Sequence, residues 1–480
     1  MPLLAGLAAM LLALWIARPP GPAIAPDSVS YLGSAVSLAR HGTLRAPFSD
    51  WDDADSTSSL TDYAPGYPVA LAVPIAAGVS PSTAARWIQA LALGVSTTLA
   101  SLLLLECEGL TGALLVLPLL LLLPALTDVH LWILSEPLFI TVTVGTLAVM
   151  TRRPERPLVY GILAALGNFV RFAGVSLVGA VVLWAMTRPG TRRERLVRGS
   201  LAAAPGIALH LWWTLRGMAP AGGIGGVATS GLTGTLREGL ATTVAWLAPV
   251  SIQSLWHLGL AVAVAIALKL MAWRLWRSPA APSRTLLVAT ALFGGCYLGM
   301  LLIARVFVAP DLPFDSRILA PLFVVLAIAA AAVLAEGWHG RSTVWRGVTI
   351  AAVVIWCTAA TAHDVDTMRQ ARRFGLGYES SEWQGSPIAN WLRTRGAGLT
   401  IYSSDPAGTW AIVHRPIRFL PSALTPDTIV AFRTAFQARP SALISFPPEL
   451  ESQAPGDPLA AQLGLVAAAR TVFGTVWVRP

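Results

Sequence analysis

At 480 residues the chain is 55% hydrophobic and only 12% charged, with a mean hydropathy of +0.64, where about a quarter charged is ordinary for a soluble domain. A soluble globular protein is thereby excluded, and a polytopic, mainly α membrane protein is expected. The formal charge of +9 does not point to nucleic acid, because the arginines fall in short clusters between apolar runs instead of on one exposed face.

The first apolar run, residues 3–16, reads as a transmembrane helix: it lacks a positively charged leader, and Arg18-Pro19-Pro20 stands where signal cleavage would need small residues. A polar first outer loop, residues 27–83, follows, far longer than a turn between membrane helices requires. It opens Asp27-Ser28-Val29-Ser30-Tyr31-Leu32, with an amphipathic helix predicted over 28–40, and includes Tyr63-Ala64-Pro65-Gly66-Tyr67-Pro68. Asp27 has two readings, an N-cap of that helix or a functional carboxylate. The Tyr63 to Pro68 stretch is either a turn leading into a proline-started helix or a rigid aromatic wall beside a sugar site. Asp50, Asp52, Asp53, Asp55 and Asp62 read as a solvated loop and are assigned no chemistry.

Apolar runs of membrane length, roughly 17 to 25 residues, then recur. They lie at 84–105, 112–126, 131–150, 158–172, 173–187, 197–215, 254–271, 286–308, 318–335 and 344–362. With the first helix this predicts about eleven spans, the pair after Leu158 being short. Arginines cluster at Arg152, Arg153 and Arg156, at Arg188 to Arg198, at Lys269 to Arg284, and at Arg341 and Arg346. With two spans after Leu158 all four clusters fall on one face, which the positive-inside rule makes cytoplasmic. Glu106 and Glu108 dissent from that pattern. The acidic first loop, the Asp128 region, the loops 216–238 and 308–317 and everything after residue 362 are then expected outside. Prolines and polar residues rise beyond 363, where strands at 398–403, 441–446 and 473–478, a helix at 426–438 and a helix or strand at 461–470 predict a small α/β extracytoplasmic domain. The expected division is 1–362 and 363–480. Cys107, Cys296 and Cys357 show no paired or metal-ligand spacing.

Ionisable residues near outer helix ends are functional candidates, since charge is costly there. Glu136, in Ser135-Glu136-Pro137, has helix-start chemistry as its other reading. Arg171 can equally be an arginine snorkelling to the interface. Arg317, in Asp315-Ser316-Arg317, precedes a span that Asp315 can cap, and a guanidinium at that depth suits a lipid phosphate. Asp128 and His130 have a spacing that can contribute to a metal site, although two ligands are too few for one.

Together these stretches, with Leu38-Ala39-Arg40-His41-Gly42, Ser135-Glu136-Pro137-Leu138-Phe139 and Arg317-Ile318-Leu319-Ala320-Pro321, resemble the GT-C superfamily of integral membrane glycosyltransferases, in particular bacterial members similar to the aminoarabinose and protein-mannosyl transferases. The chain departs by Ser28, where several relatives carry a second acid, and by Ala64, where a second proline is common. Residues 401–406 with Arg415-Pro416 also look like the outer domain of some bacterial relatives. The resemblance implies a GT-C helical bundle with outer-face juxtamembrane helices. It also implies inverting transfer of a sugar from a polyprenyl-phosphate donor to a glycan, lipid or protein hydroxyl at the outer face of the bacterial cytoplasmic membrane. In those terms Asp27 would be the general base, Arg317 and Arg171 would receive the departing phosphate, Glu136 would orient acceptor or sugar, and Tyr63 and Tyr67 would line the sugar pocket. The resemblance makes no cofactor certain and leaves a divalent metal ion open, for which Asp128 and His130 are the candidate ligands. A transporter or flippase for a lipid-linked or anionic substrate, and a non-catalytic scaffold of the same fold, are the competing classes. No inverted or parallel repeat of the kind transporters carry stands out.

Overall fold

The computed structural model describes residues 1–18, 21–215, 232–247, 283–309, 312–339, 343–447 and 456–480. The span expected at 254–271, most of the 216–238 loop, and the basic residues Lys269, Arg274, Arg277 and Arg341 lie outside them. The chain forms two units, one from Met1–Ala17, Thr61–Tyr67 and Arg86–Arg369, the other from Arg18–Leu60, Pro68–Ala85 and Gln370–Pro480.

The first unit is helical. Among the described residues three helices are long and apolar enough to cross a membrane, Pro81–Leu121, Ser283–Phe307 and Ser316–Glu336, and shorter apolar helices include Pro2–Ile16, Pro157–Val170 and Phe172–Thr187. The runs expected at 84–105 and 112–126 form one helical stretch, Pro81–Leu121, broken at Gly109 with φ 65°. Glycine tolerates that left-handed conformation, so the break falls where the polar Glu106 to Gly109 segment separates the two apolar runs. A short helix, Pro124–Leu131, precedes Glu136–Arg152. The pair after Leu158 is two helices, Pro157–Val170 and Val175–Thr187, parted at Arg171 and a 3₁₀ turn, Phe172–Gly174. In the core, Tyr297 stacks against Phe139 and Phe293, with ring centroids 6.4 and 5.5 Å away. Glu106, the acidic dissenter among the basic clusters, pairs with Arg152 at 2.6 Å.

The second unit is built on a six-stranded sheet. Its strands are β2 (Phe48–Ser49), β4 (Thr400–Ser403), β5 (Ile417–Phe419), β6 (Ser441–Ser445), β7 (Val466–Thr471) and β8 (Gly474–Val478), while β1 (Arg45–Ala46) and β3 (Ser58–Ser59) form a separate antiparallel pair. The order is β2-β5-β4-β6-β8-β7, the first four parallel and the last two antiparallel. Tyr402, Phe432, Phe436, Leu443 and Trp477 bury the apolar face. The strands expected at 398–403, 441–446 and 473–478 and the helix at 426–438 are present, and the ambiguous 461–470 stretch resolves into a helix, Gly456–Gln462, followed by β7.

The sequence boundary at 362 is not where the contacts divide. The helix Thr343–Phe374 runs through it, and β2, from the 27–83 loop, pairs with β5 in register Phe48 to Ile417. Arg418, beside that register, is buried, and its guanidinium donates to the backbone carbonyls of Asp50 (3.0 Å), Asp53 (2.8 Å) and Asp55 (3.2 Å). The loop read as merely solvated therefore has its backbone wrapped on one arginine. Charged hydrogen bonds are worth about 1.5–3 kcal/mol each and are not additive, so Arg418→Met is expected to destabilise this loop by about 3 kcal/mol. Limited proteolysis should then nick residues 50–55 about two orders of magnitude faster than in the wild type, and an unchanged cleavage rate would refute the wrapping role.

Candidate active site

Pro137 suits the first turn of Glu136–Arg152, where its missing N–H costs nothing, but Ser135 does not cap that helix with its side chain. Its hydroxyl accepts from Arg171 Nη1 at 3.1 Å instead. The Glu136 carboxylate is fully buried and gripped from two sides, with Arg317 Nε 2.6 Å from Oε1 and Arg171 Nη1 3.0 Å from Oε2. An isolated carboxylate in such surroundings is prohibitively expensive, so the arginines are required by burial alone. Two guanidiniums thus converge on one carboxylate, and the arginine side chains keep 15% (Arg171) and 29% (Arg317) of their surface exposed while the carboxylate keeps none.

Helix ends place these groups. Arg171 sits in extended backbone, φ −153° and ψ 133°, at the break between its two helices. The Tyr63 to Pro68 turn lies against that elbow: a Cβ on Gly66 would come within 2.6 Å of the Phe169 carbonyl oxygen, so glycine permits the approach. Tyr67 is fully buried and Tyr63 half-buried. Arg317 stands in the first turn of the helix Ser316–His339, which Asp315 caps as expected, accepting the Ile318 N–H at 2.8 Å. Ser316 donates to Asp128 at 2.9 Å and Tyr297 to the Ile318 carbonyl at 2.7 Å. Glu238 and Thr242 hold the preceding Phe314 backbone.

Asp27 belongs to the other unit, and its capping reading is corrected. The helix runs Pro26–His41 with Ala25 at the N-cap, and Ser28 Oγ accepts the Ala25 N–H at 2.9 Å, leaving Asp27 half-buried in the first turn and not employed as the cap. Within that unit the segment leading to Asp27 is tied to the C-terminal segment. Ile24 bridges to Gly377 and accepts from the Tyr378 N–H, and the Tyr378 hydroxyl donates to Asp405 at 2.9 Å. Asp405 also caps the helix Pro406–Val413 through the Gly408 N–H. Burial pushes the Asp405 carboxyl up from its ordinary value, against the Gly408 and Tyr378 hydrogen bonds. This tie was not foreseen, although Asp405-Pro406 is a recognisable helix start.

Asp128 and His130 each have a partner of their own. Asp128 is occupied by Ser316, and His130 is buried with Nδ1 2.8 Å from the Leu126 carbonyl. Among the described residues no group of three metal-ligating side chains occurs. A second buried carboxylate nearby, Asp364, accepts from Thr127 at 3.1 Å. Burial pushes its carboxyl up to about 6, with the Thr127 hydroxyl and the His363 charge pulling it down.

Two predictions follow from these carboxylates. Removing one partner of a buried ion pair costs about 3–5 kcal/mol. Glu136→Ala should therefore destabilise by that amount, and Glu136→Ala with Arg171→Ala by less than the sum of the single changes; additive losses in thermal unfolding would disprove the coupling. For Asp364 the folded protein holds its proton to higher pH than the unfolded chain, so its contribution to stability is lost as pH rises from about 4 through about 6. Asp364→Asn should match the wild type near pH 4 and exceed it by up to about 3 kcal/mol above pH 6. A pH-independent difference would rule this out.

No family model and no curated protein matches the chain. Solved structures do. ArnT from Cupriavidus metallidurans is similar in the apo state at TM-score 0.66 and 12% identity, covering 98% of this chain and 96% of ArnT, and bound to undecaprenyl phosphate at TM-score 0.62 and 13% identity, covering 98% and 97%. The oligosaccharyltransferase of Archaeoglobus fulgidus matches at TM-score 0.54 and 11% identity over 92% of this chain and 69% of its own. The arabinofuranosyltransferase AftD from Mycobacteria matches at TM-score 0.58 and 16% identity over 100% of this chain but 40% of AftD. All are GT-C glycosyltransferases, and the chain has the GT-C fold that its motifs resemble.

Proposed function

We propose that the protein is an inverting glycosyltransferase that moves a sugar from a polyprenyl-phosphate donor to an acceptor hydroxyl at the outer face of the bacterial cytoplasmic membrane. The observation that carries this proposal is the pair Arg171 and Arg317, two partly exposed guanidiniums fixed on one fully buried carboxylate. It occurs in a fold similar to that of an enzyme solved with undecaprenyl phosphate. The acceptor oxygen attacks the anomeric carbon as its proton passes to Asp27, and the bond from that carbon to the phosphate oxygen breaks. The leaving polyprenyl phosphate gains one negative charge, which the arginine pair stabilises in place before the reaction begins. A phosphate leaves without protonation, so a second carboxylate acting as acid, as in glycosidases, is unnecessary. Glu136 contributes by holding both guanidiniums in position, Tyr63 lines the sugar pocket, and the fully buried Tyr67 packs behind it. The acceptor is a glycan, lipid or protein hydroxyl.

The test is transfer from a labelled polyprenyl-phosphate sugar by the reconstituted protein. Because Ser28 serves the helix start, Asp27→Asn should insert and fold normally and still bind donor, yet lose roughly 10²- to 10⁴-fold in transfer. Arg317→Gln should lose both donor affinity and turnover. Near-normal transfer by the Asp27 variant would eliminate it as the base, and unchanged donor affinity in the Arg317 variant would eliminate the phosphate role.

A further inference from the structure

A cavity of about 800 Å³ opens at the other end of the helix that carries Glu136. Glu136–Arg152 has 17 residues, so at about 1.5 Å per residue its two ends stand about 24 Å apart, most of the way across a hydrocarbon core of about 30 Å. The cavity lies between this helix, Pro81–Leu121, Pro157–Val170 and Ser283–Phe307. Leu99, Leu103, Ala148, Leu163 and Leu286 form apolar wall, while Glu106, Arg152, Arg153 and Thr285 supply polar lining. Its volume falls within the range of about 300–1,000 Å³ typical of small-molecule sites, including those between bundle helices.

Arg152 is the informative residue. It pairs with Glu106 at 2.6 Å, yet among the described residues its buried Nη2 has no hydrogen-bond acceptor. A buried guanidinium donor left unmatched is costly, and a phosphate oxygen is the acceptor its geometry suits best. Arg153 beside it is exposed, so the two arginines outweigh Glu106 by one positive charge. Apolar walls alone would accept any hydrocarbon. Cationic lining joined to apolar walls selects an amphiphile whose head is an anion.

We infer that this cavity binds an anionic phospholipid of the leaflet on the arginine-rich side, its phosphate on Arg152 and Arg153 and the start of an acyl chain against Leu99, Leu103 and Leu163. The site is separate from the Glu136 cluster and stands whether or not Asp27 is a base.

Retention of phosphatidylglycerol by the purified full chain in detergent, read by native mass spectrometry beside phosphatidylcholine, tests it. Phosphatidylglycerol should be retained preferentially, and the double variant Arg152→Gln, Arg153→Gln should lower its affinity by about tenfold or more, the scale of one or two charged hydrogen bonds. Glu106→Gln should raise the affinity by removing the competing carboxylate, a gain that a merely damaged bundle would not produce. Gly145→Leu should lower it: a Cβ there meets only Leu99, at an ordinary 3.7 Å, so the longer side chain has room to enter the cavity. Equal retention of both lipids, wild-type affinity in the arginine and Gly145 variants, or full competition by inorganic phosphate would overturn the assignment.

Discussion

A carboxylate with no exposed surface inside an apolar helical bundle is tolerable only if cations come to it, and that requirement organises the first unit. Glu136 begins one helix, Arg171 stands in the break between two others, and Arg317 lies in the first turn of a fourth. Each therefore comes from a place where the chain leaves or enters regular structure. The elbow at Arg171 is backed by the Tyr63 to Tyr67 turn through the close approach at Gly66. The start of the Arg317 helix is pinned by Asp128, Tyr297 and Glu238. Precision at the cluster is thus supplied by neutral and anionic groups one layer behind it, as expected of a charge site that must not reorganise when an anion arrives.

The second unit solves a different problem. A polar loop as long as 27–83 would be loosely held if it had only itself to fold on. β2 docks on β5, Arg418 collects three of the loop's carbonyls, and Tyr378 holds the segment just before Asp27. The helix bearing Asp27 is thereby referenced to a sheet instead of to a flexible excursion. A small C-terminal α/β segment, short for an enzyme by itself, has an evident structural use as the support of the first loop.

Much of this was legible in the sequence because the physics was local. Apolar run length marked the helices, including the two either side of Arg171, where a charged residue interrupts otherwise continuous hydrophobicity. Alternation and turn residues marked β4, β6 and β8 and the helix Pro426–Gln437. Glu136, Arg171 and Arg317 stood out singly as charges in apolar surroundings, but their mutual contact spans up to 181 positions, and no local pattern encodes it. The same reason hid β2, a two-residue strand whose existence depends on a partner near the other end of the chain. Of the two readings of Asp27, the cap fails because Pro26 extends the helix one position earlier, which moves Asp27 into the first turn and gives the cap contact to Ser28.

The pairing of Phe48 with Ile417 also sets an order of events during synthesis. At about 5–20 residues per second, roughly twenty to seventy seconds separate the emergence of these two strands from the ribosome. During that interval the first loop has no sheet to join, and the helix carrying Asp27 lacks its C-terminal tie. A chain that stops short after its last membrane helix would retain the Glu136 cluster while its first loop stayed unanchored. Synthesis of β5 is therefore the event on which the order of the first loop depends.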